Sequence, residues 1–220
     1  MFEYKTTQQS LQLGSRELQI EVLASLDQTI DDLFDHLQKS GRESDLDSLC
    51  PYFGVIWPSA LALAEKLATL PLEGKTILEI GCGLALPSLL ATQMGAQVTA
   101  TDSHPDVPRF LENNLKLNRL QGLNYTHAHW AQSSTTILVK PNLIMGSDIL
   151  YEKDHPRLVA EFINLNLAAG GSAIVTDPAR PYLQTFSNEM KARKFKETLE
   201  IKTVQTPTEK KDIFVLSFSR

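Results

Sequence analysis

Two glycines, Gly81 and Gly83, close the run ILEIGCG, and a carboxylate, Asp102, ends VTATD about 20 residues further on. A glycine pair after an apolar run lets the chain turn sharply from strand into helix and lets a ligand lie against bare backbone. An acid at the end of the next strand can accept hydrogen bonds from both hydroxyls of a ribose. Each feature has a plainer use: the glycines as a simple turn, Asp102 as a helix cap ahead of Pro105. Together they point to an adenosine-containing ligand.

The phosphate separates the candidates. Leu86 and Pro87 stand where a dinucleotide fingerprint has its third glycine, and they crowd the helix N-terminus that would cradle a pyrophosphate. Glu79, two residues before Gly81, is placed to help bind an ammonium. A ligand with a ribose, an ammonium and no phosphate is indicated, and S-adenosylmethionine meets those terms.

A second cluster lies in GSDILYEKD. It follows an apolar run read as a strand, so Ser147, Asp148 and Tyr151 fall at the carboxyl edge of a sheet, facing the same crevice as Gly81. Asp148 could instead cap the following helix, although Asp154, ahead of His155 and Pro156, is the more direct cap. His127 and His129 share a strand face but lack a third ligand at metal-like spacing, so no metal is expected. No Ser-His-Asp or Cys-His set supports a hydrolase.

The elements that must position these residues read as α/β. From Trp57 onward, apolar runs alternate with amphipathic stretches: KTILEIG, AQVTATD, LNYTHAHW, PNLIMGSD and GSAIVTDP as strands, separated by helices. KETLEIKTVQT and KKDIFVLSFSR follow with no helix between them and predict a C-terminal hairpin. The pattern implies a Rossmann-like seven-stranded, mostly parallel sheet with helices on both faces and one antiparallel strand in the hairpin. Residues 1–50 read as a small extension, a hairpin across Gly14 and Ser15 followed by a helix capped by Ser25 and stopped at Gly41, with GRESDLDSLCPY as a charged, mobile loop. Residues 51–220 form the main domain.

The chain has 220 residues, 42% hydrophobic and 21% charged, as expected of a globular protein. A net charge of -5 argues against a nucleic-acid binder. No leader or membrane span is evident, and a soluble cytoplasmic protein is expected. Cys50 and Cys82 suggest neither a disulfide framework nor a zinc site.

LEIGCGLALPSLLA, VTATD and GSDILY together resemble the lysine methyltransferase-like branch of the class I S-adenosylmethionine-dependent methyltransferases, over about Pro51 to the C-terminus. The resemblance implies a cofactor set of Trp57, Glu79, Gly81, Cys82, Gly83, Asp102, Ser103, Trp130 and Ser147. Trp57 would help close the cofactor site and Trp130 would lie beside the adenine, with His129 ahead of it where the family often has an acid. It also makes Asp148 and Tyr151 the catalytic Asp-x-x-Tyr pair, Asp148 drawing in and orienting an ammonium and Tyr151 shaping the slot. The implied partner is a protein with an accessible lysine. The alternatives are a small-molecule N-methyltransferase with residues 1–50 as its lid, a non-catalytic scaffold, and an NAD-dependent oxidoreductase.

Overall fold

The computed structural model describes residues 2–128, 139–206 and 210–220. The chain opens with strands β1 (Thr6–Leu13) and β2 (Arg16–Leu23), an antiparallel hairpin turning at Gly14 in the left-handed region. Helix α1 (Leu26–Lys39) follows; Ser25 caps it by accepting from the Gln28 amide, and Gly41 takes a positive φ just beyond its end.

Residues 42–54 differ from the loop expected on their charge. They form a 3-10 turn (Glu43–Asp45), the short helix α2 (Leu46–Leu49) and a second 3-10 turn (Tyr52–Gly54). The second turn is held by one aromatic anchor in a polar stretch: buried Phe53 packs edge-on against Tyr4 and Phe110 and lies 4.3 Å from the His104 ring.

The remaining elements are α3 (Pro58–Leu67), β3 (Thr76–Ile80), α4 (Leu86–Gln93), β4 (Gln97–Asp102), α5 (Val107–Leu117), β5 (Asn124–His127), β6 (Leu143–Ser147), α6 (His155–Asn166), β7 (Ser172–Asp177), α7 (Leu183–Ala192), β8 (Lys196–Gln205) and β9 (Lys210–Ser219). The sheet has seven strands in the order β5-β4-β3-β6-β7-β9-β8. Strands β3 to β7 run parallel, and β9 is antiparallel to both β7 and β8. Alternate residues feed two cores. Ile77, Val98 and Met145 face α3, α4 and α5, whereas Leu78, Ile144 and Val175 face α6 and α7.

The chain leaves β3 for β4 and β5 on one side, then returns to place β6 on the other. This reversal opens a crevice at the carboxyl ends of β3, β4 and β6.

Candidate functional site

At the end of β3 the backbone takes three left-handed residues at alternate positions: Gly81 (φ 63°), Gly83 (φ 51°) and Ala85 (φ 58°). The Cys82 amide carries the β3–β4 pairing one step further by donating to the Thr101 carbonyl. A Cβ at Gly83 would sit 3.1 Å from the Phe53 carbonyl oxygen, so this glycine also admits the backbone of the 52–54 turn. Cys82 is buried, and burial raises its thiol well above the ordinary range, which makes it a structural rather than a reactive group.

Asp102 joins two loops. Its Oδ2 accepts from the Gly83 amide and its Oδ1 from the His104 amide, both at 2.9 Å. It does not cap α5, whose N-cap position is Asp106. Each carboxylate oxygen keeps capacity for a further donor, as a ribose would require. Ser103 beside it is exposed. His104 is buried with Nδ1 accepting from the Asp106 amide, so Nε2 carries the proton and donates to the Leu49 carbonyl. Burial lowers its pKa, which keeps the ring neutral.

Glu79 is wholly buried in β3 on the α4 side. Its Oε2 accepts from both the amide and the hydroxyl of Ser88, in the first turn of α4, while Oε1 has no hydrogen-bond partner among the described residues. Pro87 has no amide hydrogen, and that of Ser88 is already taken. The N-terminus of α4 is thus occupied by the chain's own acid, which leaves little to cradle a pyrophosphate. Burial pushes the Glu79 carboxyl up to about 8, against the Ser88 hydrogen bonds, and nearby Asp102 adds to the rise. A buried carboxyl oxygen with no partner among the described residues, beside a glycine turn, is suited to an ammonium. These residues fit S-adenosylmethionine.

Trp57 stands at the N-cap position of α3, half-buried, and its indole nitrogen donates to the Tyr52 carbonyl. Trp130 and His129 lie outside the described residues.

The acceptor side is built at the ends of β6 and β7. Ser147 closes β6, and Asp148 follows with φ 58°, a left-handed conformation that Asp tolerates better than most residues. Its amide donates to the Thr176 carbonyl in β7. The Asp148 side chain is nearly buried, and its Oδ1 accepts from both Nε and Nη2 of Arg180 at 2.6 Å. Among the described residues its Oδ2 meets only the Ser59 hydroxyl, at 3.4 Å. Ser59, in the first turn of α3, also accepts at its carbonyl from the Thr176 hydroxyl, which ties α3 to the same strand ends.

Asp177, the last residue of β7, is fully buried. Its Oδ1 accepts from the Arg180 amide at 2.6 Å, and its Oδ2 has no partner among the described residues. Burial raises its pKa to about 6.

Tyr151 is exposed and packs edge-on against the His155 ring, 4.6 Å away. No hydrogen bond joins it to Asp148 among the described residues. The His155 Nδ1 lies 2.9 Å from the Ile149 carbonyl, and Ile149 and Leu150 are buried, which pins the loop. Asp154 occupies the N-cap position of α6, but its side chain makes no capping hydrogen bond.

The structure therefore gathers Glu79 and Asp102, at the ends of β3 and β4, around the turn of Gly81, Cys82 and Gly83, with Ser147 at the end of β6 and Asp148 and Tyr151 on the loop beyond it. Arg180 and Asp177 escaped the sequence reading. The signal was TDPAR, an acid ending a strand at the same sheet edge as Asp102 and Asp148, followed by an Asp-Pro turn.

This sheet order, with a glycine turn after its first strand and an acid after its second, is the fold of the class I methyltransferases. The match to solved structures agrees. The chain superposes on the Thermus thermophilus 16S rRNA N2 G1207 methyltransferase RsmC, in complex with AdoMet and guanosine, with a TM-score of 0.66 and 14% identity, covering 99% of this chain and 51% of that one. The N-methyltransferase NodS from Bradyrhizobium japonicum, in complex with S-adenosyl-L-homocysteine, gives 0.56 and 18% identity over 67% and 79% of the two chains. Within that class the chain belongs to the lysine methyltransferase family, whose sequence pattern matches residues 47–192.

Among individual relatives, the Xenopus laevis histone-arginine methyltransferase METTL23 is 36% identical over 110 residues, 47% of each chain. The Xenopus tropicalis protein N-lysine methyltransferase METTL21A is 30% identical over 119 residues, 51% of this chain and 54% of the relative. The match thus spans about half the length of these relatives.

Proposed function

We propose that this chain is an S-adenosylmethionine-dependent methyltransferase that acts on a lysine side chain of a protein. One observation carries the reading: the ends of adjacent strands β3, β4 and β6 bring Glu79, Gly81 and Asp102 to the same crevice as Asp148. Glu79 would hold the ammonium of the cofactor's methionine end, Asp102 its ribose hydroxyls, and the glycine turn would lie against it. Bound there, S-adenosylmethionine supplies an electrophilic methyl group on a sulfonium.

The chain's own task is then to align an uncharged nitrogen and keep water out. A lysine amine has a reference pKa of ~10.4 and arrives as an ammonium. Asp148 draws it in at Oδ2; the ammonium gives up one proton to solvent, and a remaining N–H bonded to Oδ2 aims the freed lone pair at the methyl group. Tyr151, exposed at the rim, offers an aromatic wall for the cation.

The relatives named as arginine methyltransferases support a second acceptor, a guanidinium. A labelling experiment separates the two. The protein is incubated with tritiated S-adenosylmethionine and a lysate of its source, and the labelled band is hydrolysed to amino acids. Methyl-lysine is expected; methyl-arginine overturns the lysine assignment, and label only in small molecules overturns the protein substrate. We also propose a cytoplasmic location, for which the support is the sequence alone.

A further inference from the structure

We propose that Arg180 is a positioning residue of the acceptor site, fixing Asp148 so that Oδ2 alone is left to meet the incoming amine. The inference rests on the reading of Asp148 as the amine-orienting acid. Arg180 turns Nε and Nη2 onto one oxygen, Oδ1, both at 2.6 Å, and among the described residues Oδ2 keeps a single long contact, to Ser59. Its backbone is clamped as well: buried Asp177 accepts from the Arg180 amide, and Ala179 before it takes φ 67°. Asp148 is tied to the same frame through its amide and the Thr176 carbonyl. The guanidinium and the carboxylate it holds are therefore both fixed to the ends of β6 and β7.

Specificity follows from the same geometry. An incoming guanidinium binds a carboxylate best as a fork onto two oxygens, and one of these is already engaged by Arg180. A compact ammonium needs only one. The pair thus favours lysine over arginine as acceptor, and removal of Arg180 frees Oδ1 and lets Asp148 turn.

The test uses tritiated S-adenosylmethionine and the protein band that the wild-type chain labels. Arg180→Ala is expected to lower kcat at least tenfold while cofactor affinity by calorimetry stays within twofold. Millimolar guanidinium should restore transfer in Arg180→Ala and not in Asp148→Asn. The double variant should be no more than twofold slower than Asp148→Asn alone, because Arg180 acts through Asp148. If Arg180→Ala fails to fold, Arg180→Lys carries the test with the same tenfold loss, since an ammonium lacks the guanidinium's paired donors. An Arg180 variant that transfers at the wild-type rate or faster, or losses that multiply in the double variant, overturns the positioning role alone. A wild-type chain that labels nothing overturns the methyl-transfer reading and this one with it.

Discussion

Glu79 gives the site a proton to exchange. Its carboxyl is raised to about 8, chiefly by burial, so at pH 7 it is mostly protonated. An ammonium brought beside it favours the carboxylate, so cofactor binding should expel a proton. Calorimetry at pH 7 in two buffers of different ionisation enthalpy should find close to one proton released, and affinity should rise with pH between about 6 and 7.5. Glu79→Gln should abolish both effects; a wild type that releases no proton would remove Glu79 from the ammonium. The sign for stability is opposite. An acid whose pKa is raised on folding binds its proton more tightly when folded, so the ligand-free chain should lose stability as pH climbs from about 4.5 to 8, and Glu79→Gln should flatten that slope. Asp102→Ala should weaken cofactor binding by about 1 to 3 kcal/mol, through the lost ribose acceptor and the released Gly83 amide. Unchanged affinity would separate Asp102 from the ribose. Residues of this first kind were legible in the sequence because a glycine turn and the acids flanking it are local features. Arg180 was not, because its partner lies at the end of a neighbouring strand 32 positions away in the chain.

At the scale of elements, the strands and helices of the sheet were legible from periodicity, since buried parallel strands are short apolar runs and their helices carry a single apolar stripe. What periodicity could not supply was how the N-terminal hairpin is fastened. The outer edge of β2 is completed by side chains of α5 and of its C-cap residue, Asn118, rather than by another strand. Asn114 accepts from the Glu21 amide, and Asn118 accepts from the Gln19 amide while donating to its carbonyl. Two asparagines four residues apart on a helix share a face, so together they imitate a strand edge. Asn114 is fully buried, so Asn114→Ala should cost about 1 to 3 kcal/mol by leaving a β2 amide unpaired. Chemical denaturation measures this, and a variant as stable as wild type would show that the pairing contributes nothing. Gly146 in β6 offers a steric counterpart. A Cβ there would lie 2.6 Å from Ile149 Cδ1 and 3.2 Å from the Ile80 carbonyl, so Gly146→Ala should displace the loop that carries Asp148 and reduce methyl transfer.

For the whole molecule the question is whether residues 1–50 are a separate extension. Composition suggested a boundary at 50, because β1 is polar along most of its length and the alternation of strand and helix begins after it. The packing joins what composition divides. Leu13, Leu18, Ile20 and Val22 of the hairpin belong to the same core as Ile77 and Val98 of the sheet. Tyr4 donates to Asp106 and is edge-on to Phe53 and Phe110, while His104, two residues beyond Asp102, reaches back to the Leu49 carbonyl. We infer that the first 50 residues are part of the folding unit and support the cofactor crevice through the His104–Leu49 contact. Burial of each large aliphatic side chain contributes roughly 1.5 to 3 kcal/mol, so the loss of four is comparable with the ~5 to 15 kcal/mol that holds a typical domain folded. A fragment of residues 51–220 would also expose the faces of α4 and α5 that β2 covers and leave Asn114 and Asn118 without their partners. It should therefore show no cooperative thermal transition and no binding of S-adenosylmethionine by calorimetry. A fragment that melts cooperatively at the wild-type midpoint would establish an independent domain. One that melts cooperatively but binds no cofactor would confine the role of the first 50 residues to supporting the crevice.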